Sequence, residues 1–244
     1  MIESFLWGFV GASSLIIGGV IAGLVRISPR NVGLIMAFGS GVLVSAVAFD
    51  LMEEAVNTAP TAGLVIAAGL FGGCLTFYVG DLLIDRMGGA QRKDVTGGQA
   101  EGSPLAIVLG TVLDGIPESM VIGLAILQGG SIGIAYLTAV FVSNLPEAIA
   151  STSGLRSGGW SRSRILGLWL LVAVISAVAA LLGFALFDTA PPEAIAFVLA
   201  FAGGAILTML ADTMVPEAYE HAGALAGVVT TLGFSIAFAL HVLE

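Results

Sequence analysis

Stretches of about twenty apolar residues, each long enough to cross a bilayer, follow one another along this chain. They run over approximately 2–25, 32–54, 62–84, 104–127, 132–155, 165–187, 194–215 and 222–242. The interruptions are SPRN, NTAPT, RMGGAQRKDVTGGQAEGS, QGGS, RSGGWSRSR, DTAPPE and EAYEH, where Gly, Pro, Ser and charge cluster as turn chemistry expects. Charged residues make up only 10% of the chain, against roughly a quarter in an ordinary soluble domain. These features predict an all-α integral membrane protein, with eight transmembrane helices in a single membrane domain over 1–244. The segment 86–103 reads as a flexible cytoplasmic loop between the third and fourth helices. The first run lacks a basic region and a small-residue cleavage site, so it reads as a span rather than a leader. The single cysteine, Cys74, excludes a disulfide framework and Cys-rich metal sites. A net charge of -9 disfavours nucleic acid as a partner.

The basic residues set an orientation. Arg26 and Arg30 fall in the first loop, Arg86, Arg92 and Lys93 in the third, and Arg156, Arg162 and Arg164 in the fifth. All eight lie on one side of the predicted bundle. Positively charged loops stay cytoplasmic, so both termini are expected outside, in a multi-pass protein of the plasma (inner) membrane. The seventh loop, with Glu217 and Glu220, falls on the same side, but acidic residues weigh little in this rule.

Two motifs carry the chemistry. LDGIPESMVIG (113–123) and VSNLPEAIAST (142–152) each place a glutamate directly after a proline, Glu118 after Pro117 and Glu147 after Pro146. Proline removes a backbone donor and frees a carbonyl four residues back, here Leu113 and Val142. A freed carbonyl within a membrane has to face protein or a cavity. Residues four apart share a helix face, so Asp114 aligns with Glu118, and Ser143 with Glu147, with Asn144 beside them. Facing helices would bring three carboxylates, a hydroxyl and an amide to one depth. Such carboxylates repel unless a cation or protons neutralise them. A divalent cation accounts for the cluster economically and a proton relay nearly as well. Prolines kinking helices for packing, with the acids paired to Arg, is the structural alternative. It lacks a basic residue near the midplane.

An internal likeness adds to this. FGSGVLVS (38–45) resembles FAGGAILT (201–208), and each precedes an Asp-x-Met, at Asp50 to Met52 and Asp212 to Met214. The second and seventh spans cross in opposite directions, as do the fourth and fifth. Both pairs fit an inverted repeat, an architecture that places a transport site near the midplane where broken helices meet. Shared membrane composition accounts for the 38/201 likeness as well.

The paired Pro-Glu motifs on consecutive spans resemble those of the ZIP (Zrt/Irt-like) divalent metal transporters, in particular the bacterial GufA-like branch. The resemblance covers nearly the whole chain and implies eight spans, both termini outside and movement of a divalent metal, zinc above all, into the cytosol. It places a binuclear metal centre on the fourth and fifth spans. The family's fourth-span histidine falls on Asp114, its asparagine on Gly115 and its glutamate on Glu118. In the fifth span the polar pair falls on Ser143 and Asn144 and the bridging glutamate on Glu147. A sixth-span glutamate of some members falls near Ser176. The second-span motif reads Asp50-Leu-Met-Glu-Glu, with Asp50 at the histidine and Glu54 at the glutamate. One metal position is thus kept and the second loses its ligands. Imidazole suits zinc, while carboxylate and water suit manganese, calcium and magnesium. Zinc still accepts carboxylate oxygens. The expectation is therefore a mononuclear, oxygen-rich site whose range extends from zinc to manganese, iron or cadmium.

The expected metal ligands are Asp114, Glu118, Ser143, Asn144 and Glu147. Asp50, Met52 and Glu54 on one side, and Asp212, Glu217 and His221 on the other, stand as pathway residues. Each of these also fits a plain polar helix end or, for Met52, core packing. The metal ion is substrate, and no resident cofactor is expected. The lipid bilayer is the standing partner, and the resemblance admits a homodimer. A non-transporting metal sensor or subunit of ZIP ancestry is the alternative. An intramembrane aspartyl protease is more remote, because YVGD (78–81) lacks the first glycine of that motif.

Overall fold

A computed structural model describes residues 1–25, 27–89, 104–127 and 134–243. Every regular element among them is helical. The eight spans are α1 (Ile2–Leu24), α2 (Pro29–Thr58), α3 (Gly63–Gly89), α4 (Pro104–Leu127), α5 (Ile134–Ser157), α6 (Arg162–Phe187), α7 (Pro192–Ala222) and α8 (Leu225–Leu243). Seven of these are long and apolar enough to cross a membrane, and α5 is not among them. Its 24 residues would still rise about 36 Å at 1.5 Å each. It reads as less apolar because it carries Ser143, Asn144, Glu147, Ser151 and Thr152, all buried by neighbouring helices. The chain is a multi-pass membrane protein.

Local chemistry sets several starts and stops. The Ser28 hydroxyl accepts from the Asn31 amide at 3.3 Å, with Pro29 in the first helical turn of α2. Ser161 caps α6 in the same way through Arg164. Such caps satisfy amides that a helix leaves without internal partners. Gly159 (φ 82°) and Gly223 (φ 61°) take the left-handed conformation at the turns after α5 and α7. That conformation favours glycine, which has no Cβ to clash.

The packing divides the helices into two groups of four. In one, α1 packs on α5 and α6, and α4 packs on α6. In the other, α2 packs on α7 and α8, and α3 packs on α7. The groups meet through α2 against α5 and α4 against α7. Exchanging α1 with α6, α2 with α7, α3 with α8 and α4 with α5 leaves this pattern unchanged. Since successive spans run in opposite directions, the exchanged partners are antiparallel, which is the signature of an inverted repeat.

Residue detail extends the likeness of 38–45 to 201–208 beyond composition. An added Cβ on Gly41 would lie 2.8 Å from the Phe234 amide nitrogen of α8. One on Gly204, its counterpart in α7, would lie 3.1 Å from the Cys74 amide nitrogen of α3. Reciprocally, Gly233 of α8 abuts the backbone of Phe38, and Gly73 of α3 abuts the backbone of Phe201. Small residues let membrane helices approach backbone to backbone, and here the same crossing is built twice.

Three sequence expectations change. The motif prolines do not break α4 or α5, which are continuous through Pro117 and Pro146. Besides a π-helical turn that closes α3 (Asp85–Gly89), the irregular turns fall in α2 and α7, as π-helical segments Ala46–Glu53 and Leu210–Met214. These hold Asp50 and Asp212, so the inverted repeat includes its defects. The break expected at EAYEH is helical, because α7 resumes at Val215 with Pro216 in the first turn, where proline's missing amide does no harm. Asp212 is therefore ten residues from the end of its helix, rather than the three that the expected end at 215 gives. Likewise α2 runs on to Thr58. Of the loop over 86–103, Arg86–Gly89 belong to the π-helical turn that closes α3, with Gly88 departing from helical geometry at φ 92°; residues 90–103, Arg92 and Lys93 included, lie outside the described residues, as does Arg26.

Replacing Gly41 or Gly204 by alanine is expected to lower stability by about 1–3 kcal/mol through overpacking. Gly167→Ala, whose Cβ would meet nothing within 4 Å, serves as the neutral control. Thermal unfolding of the purified protein in detergent reads all three.

Candidate metal centre

Fourteen polar or charged side chains are buried among the described residues. Four are on α4 (Thr111, Asp114, Glu118, Ser119) and five on α5 (Ser143, Asn144, Glu147, Ser151, Thr152). Asp114 is 3% exposed, Glu118 1% and Glu147 7%. All five expected ligands thus lie inside the protein rather than against lipid. The spacing explains this: Thr111, Asp114 and Glu118 fall on one stripe of α4, and Ser143, Glu147 and Ser151 on one stripe of α5. The added members Thr111, Ser119 and Ser151 were not singled out in the sequence. Thr111 and Ser151 were within reach of the same three-, four- and seven-residue arithmetic.

Neighbouring helices hold the two stripes in place. α4 and α5 touch each other only slightly. α1 lies against both, with Gly11 facing Ile122 of α4 and Leu137 and Val140 of α5. The direct link is Tyr136, whose hydroxyl donates to the Glu118 backbone carbonyl at 3.1 Å. No sequence signal marked Tyr136, since a buried tyrosine needs only some partner. On α5, Gly39 of α2 brings its backbone against Ser143 and the Val142 carbonyl, the one Pro146 frees. The Ser143 hydroxyl donates to the Val140 carbonyl at 3.0 Å and keeps its lone pairs. On α4, a Cβ at Gly115 would stand 3.3 Å from the Ser176 hydroxyl of α6. Gly115 and Ser176, two of the positions at which the chain departs from the pattern that the resemblance implies, therefore face each other, and both are small.

Among the described residues no three His, Cys, Asp or Glu side chains converge as a group that could hold a metal ion. The carboxylates of α4 and α5 are enclosed in one interior and remain on separate helices. An apolar cavity of about 240 Å³ lies beside Pro117, between α4 and α7.

The expected pathway residues separate into two ends. Asp50 is half-buried and its Oδ1 lies 2.9 Å from His241 Nδ1, joining α2 to α8 beside Phe49. Met52 and Glu54 are half-buried, and Glu54 accepts from the Thr58 hydroxyl at 3.3 Å. Asp212 is exposed. Glu217 and His221 sit four apart on α7 with Oε2 and Nε2 3.5 Å apart, so they face one another rather than Asp212. His221 also packs near Gly33, which ties the end of α7 to the start of α2. The Asp50–His241 contact spans 191 positions and was beyond any local reading.

Tyr136→Phe removes the side-chain link between α5 and the Glu118 turn. The expected loss is about 1 kcal/mol, seen as a lower midpoint of thermal unfolding with helix content unchanged by circular dichroism.

No family model matches the chain. It is similar to the zinc transporter GufA of Myxococcus xanthus, with 29% identity over 174 residues, covering 71% of this chain and 68% of that protein. It is also similar to an Arabidopsis thaliana protein described as a candidate zinc transporter, with 24% identity over 209 residues, covering 84% of this chain. The chain spans 33% of the length of that plant protein. Both relatives are transporters by name, so the protease reading gains nothing from them. Buried acidic stripes on two proline-bearing helices stand beside these two likenesses: the chain is a multi-pass membrane protein similar to proteins named as zinc transporters.

Proposed function

We propose that the protein moves divalent metal cations across the membrane into the cytosol, with zinc as the principal cargo and manganese, iron or cadmium within its range. The observation that carries this is the burial of Asp114, Glu118, Ser143, Asn144 and Glu147 in a chain with few charges to spare. Intramembrane acids are expensive, roughly 3 kcal/mol each or more at a helix centre, and persist where they do something. The names of the two relatives supply the cargo class.

The five side chains are the ligand set of one oxygen-rich site. The carboxylates offer hard oxygen donors, and Ser143 and Asn144 offer neutral ones. A cation entering between α4 and α5 offsets the mutual repulsion of the acids, so occupancy favours drawing the two stripes together. The helix group α1, α4, α5 and α6 carries all five ligands and meets the other group across a smaller interface. Movement of one group against the other would expose the site to each side in turn. Asp50, Met52 and Glu54 then serve the outer approach, and Asp212, Glu217 and His221 the cytoplasmic exit. This assignment takes the basic loops as cytoplasmic and both termini as outside, in the plasma membrane.

Proteoliposomes test the reading directly. Saturable zinc flux is expected from the wild type. Glu147→Ala is expected to lower it by roughly 10–100-fold, the range seen when even the outer partners of a metal ligand are removed. Flux that survives Glu147→Ala counts against the site. Metal binding by calorimetry without flux would instead favour a sensor or subunit. A second prediction concerns selectivity: Asp114→His exchanges a hard oxygen for imidazole and is expected to shift competition toward zinc and away from manganese. Unchanged ranking of the metals would count against Asp114 as a ligand.

A further inference from the structure

A cavity of about 200 Å³ opens between α1, α5 and α6, away from the acidic stripes. Its walls are mostly apolar, with Gly23 and Leu24 from α1 and Ile165 and Leu166 from α6, while Arg156 of α5 and Arg162 of α6 stand at one end. Leu24 is 72% exposed, so the cleft opens sideways onto the surface that faces lipid. Gly23 has no atom within 4 Å of an added Cβ, so open space continues to the helix backbone.

The two arginines are placed differently. Arg156 is fixed, its Nη1 donating to the carbonyls of Ala22 and Gly23 at 3.0 and 3.3 Å. A guanidinium has five N–H donors, so this leaves others for a ligand. Arg162 lies in the first turn of α6 and is exposed. Among the described residues no hydrogen bond or ion pair engages it. Two guanidiniums at the mouth of an apolar cleft are notable in a chain with eight basic residues and a net charge of -9.

We infer that this cleft is a binding site for an anionic phospholipid, its phosphate on Arg156 and Arg162 and an acyl chain along Gly23, Leu24 and Leu166. Guanidinium and phosphate match in charge and in hydrogen-bond geometry. The apolar wall matches the chain, and the opening matches the only phase from which such a molecule arrives. The basic loops also lie where anionic lipids gather, at the cytoplasmic leaflet. The site is independent of the metal reading, because it shares no residue with the acidic stripes.

Trp169 supplies the readout. An added Cβ at Gly19, which lines the cleft, would lie 2.5 Å from Trp169 Cδ1, so the indole sits directly behind the wall. With Trp7 and Trp160 changed to Phe, quenching of Trp169 by lipids brominated in the acyl chain reports occupancy. Vesicles of brominated phosphatidylglycerol are compared with vesicles of brominated phosphatidylcholine. The expected preference for phosphatidylglycerol is about fivefold. Arg162→Gln is expected to bring it near parity, and Gly23→Phe to lower quenching by both lipids, with thermal unfolding confirming that each variant is folded. Equal quenching by the two lipids in the parent overturns the inference, and so does a preference that survives Arg162→Gln. Added inorganic phosphate is expected to leave the preference standing. Loss of the preference on adding phosphate would assign the arginines to a soluble anion and overturn the lipid site.

Discussion

Placing Asp114, Glu118 and Glu147 inside a membrane-spanning chain is the constraint on which the arrangement turns. A carboxylate facing hydrocarbon is far costlier than one enclosed by protein. Enclosure requires that α4 and α5 be covered on their polar sides, and α5 is the span with the least apolar character of its own. α1 covers both, α6 backs α4, and α2 closes over Ser143. The outermost helices, α3 and α8, are the least buried of the seven apolar spans, with 22% and 17% of their windows inside the protein. Their exposed sides carry large apolar residues such as Leu64, Phe71, Leu75, Val228 and Leu232. Polarity and burial thus increase together, the reverse of a soluble bundle, because here the surrounding solvent is lipid.

The inverted repeat gives this enclosure its form. Each half supplies one proline-bearing helix to the site and one glycine-stepped crossing to the periphery. Gly41 against α8 and Gly204 against α3 are the same contact made twice. The π-helical segments recur in the same way, around Asp50 and Asp212. A π turn widens the helix and offsets its register, a feature frequent at functional sites. Conformational irregularity therefore sits in the group opposite the buried acids, while the helices that carry those acids stay regular. The helices of the acid-bearing group are regular α-helices and the other group holds the irregular turns.

The symmetry is incomplete where chemistry differs. Asp50 reaches His241 of α8, whereas Asp212 is exposed and its half has no second histidine in α3. Gly115 and Ser176 are similarly one-sided, a pair of small residues facing one another beside Asp114.

Much of this was legible in the sequence. Length and apolarity defined the spans, because a bilayer of fixed thickness leaves a helix little choice of length. The three- and four-residue spacings placed Asp114, Glu118, Ser143 and Glu147 on common stripes, because an α-helix has a fixed period. Ser28, Pro29 and Ser161 carry capping chemistry that starts α2 at Pro29 and α6 at Arg162, each three residues before the starts expected at 32 and 165. Other features belong to the assembled protein alone. The π segments arise where α2 and α7 pack, and no residue type encodes them. α4 and α5 stay continuous through proline, and Gly39 of α2 leaves room beside the Val142 carbonyl that Pro146 frees. EAYEH looked like a loop because its charge was read without the helix that Val215 and Pro216 restart. The links Tyr136–Glu118, Asp50–His241 and Gly115–Ser176 each join two different helices. Their partners are set by which faces meet, and a periodic pattern says which face a residue is on without saying what lies across from it.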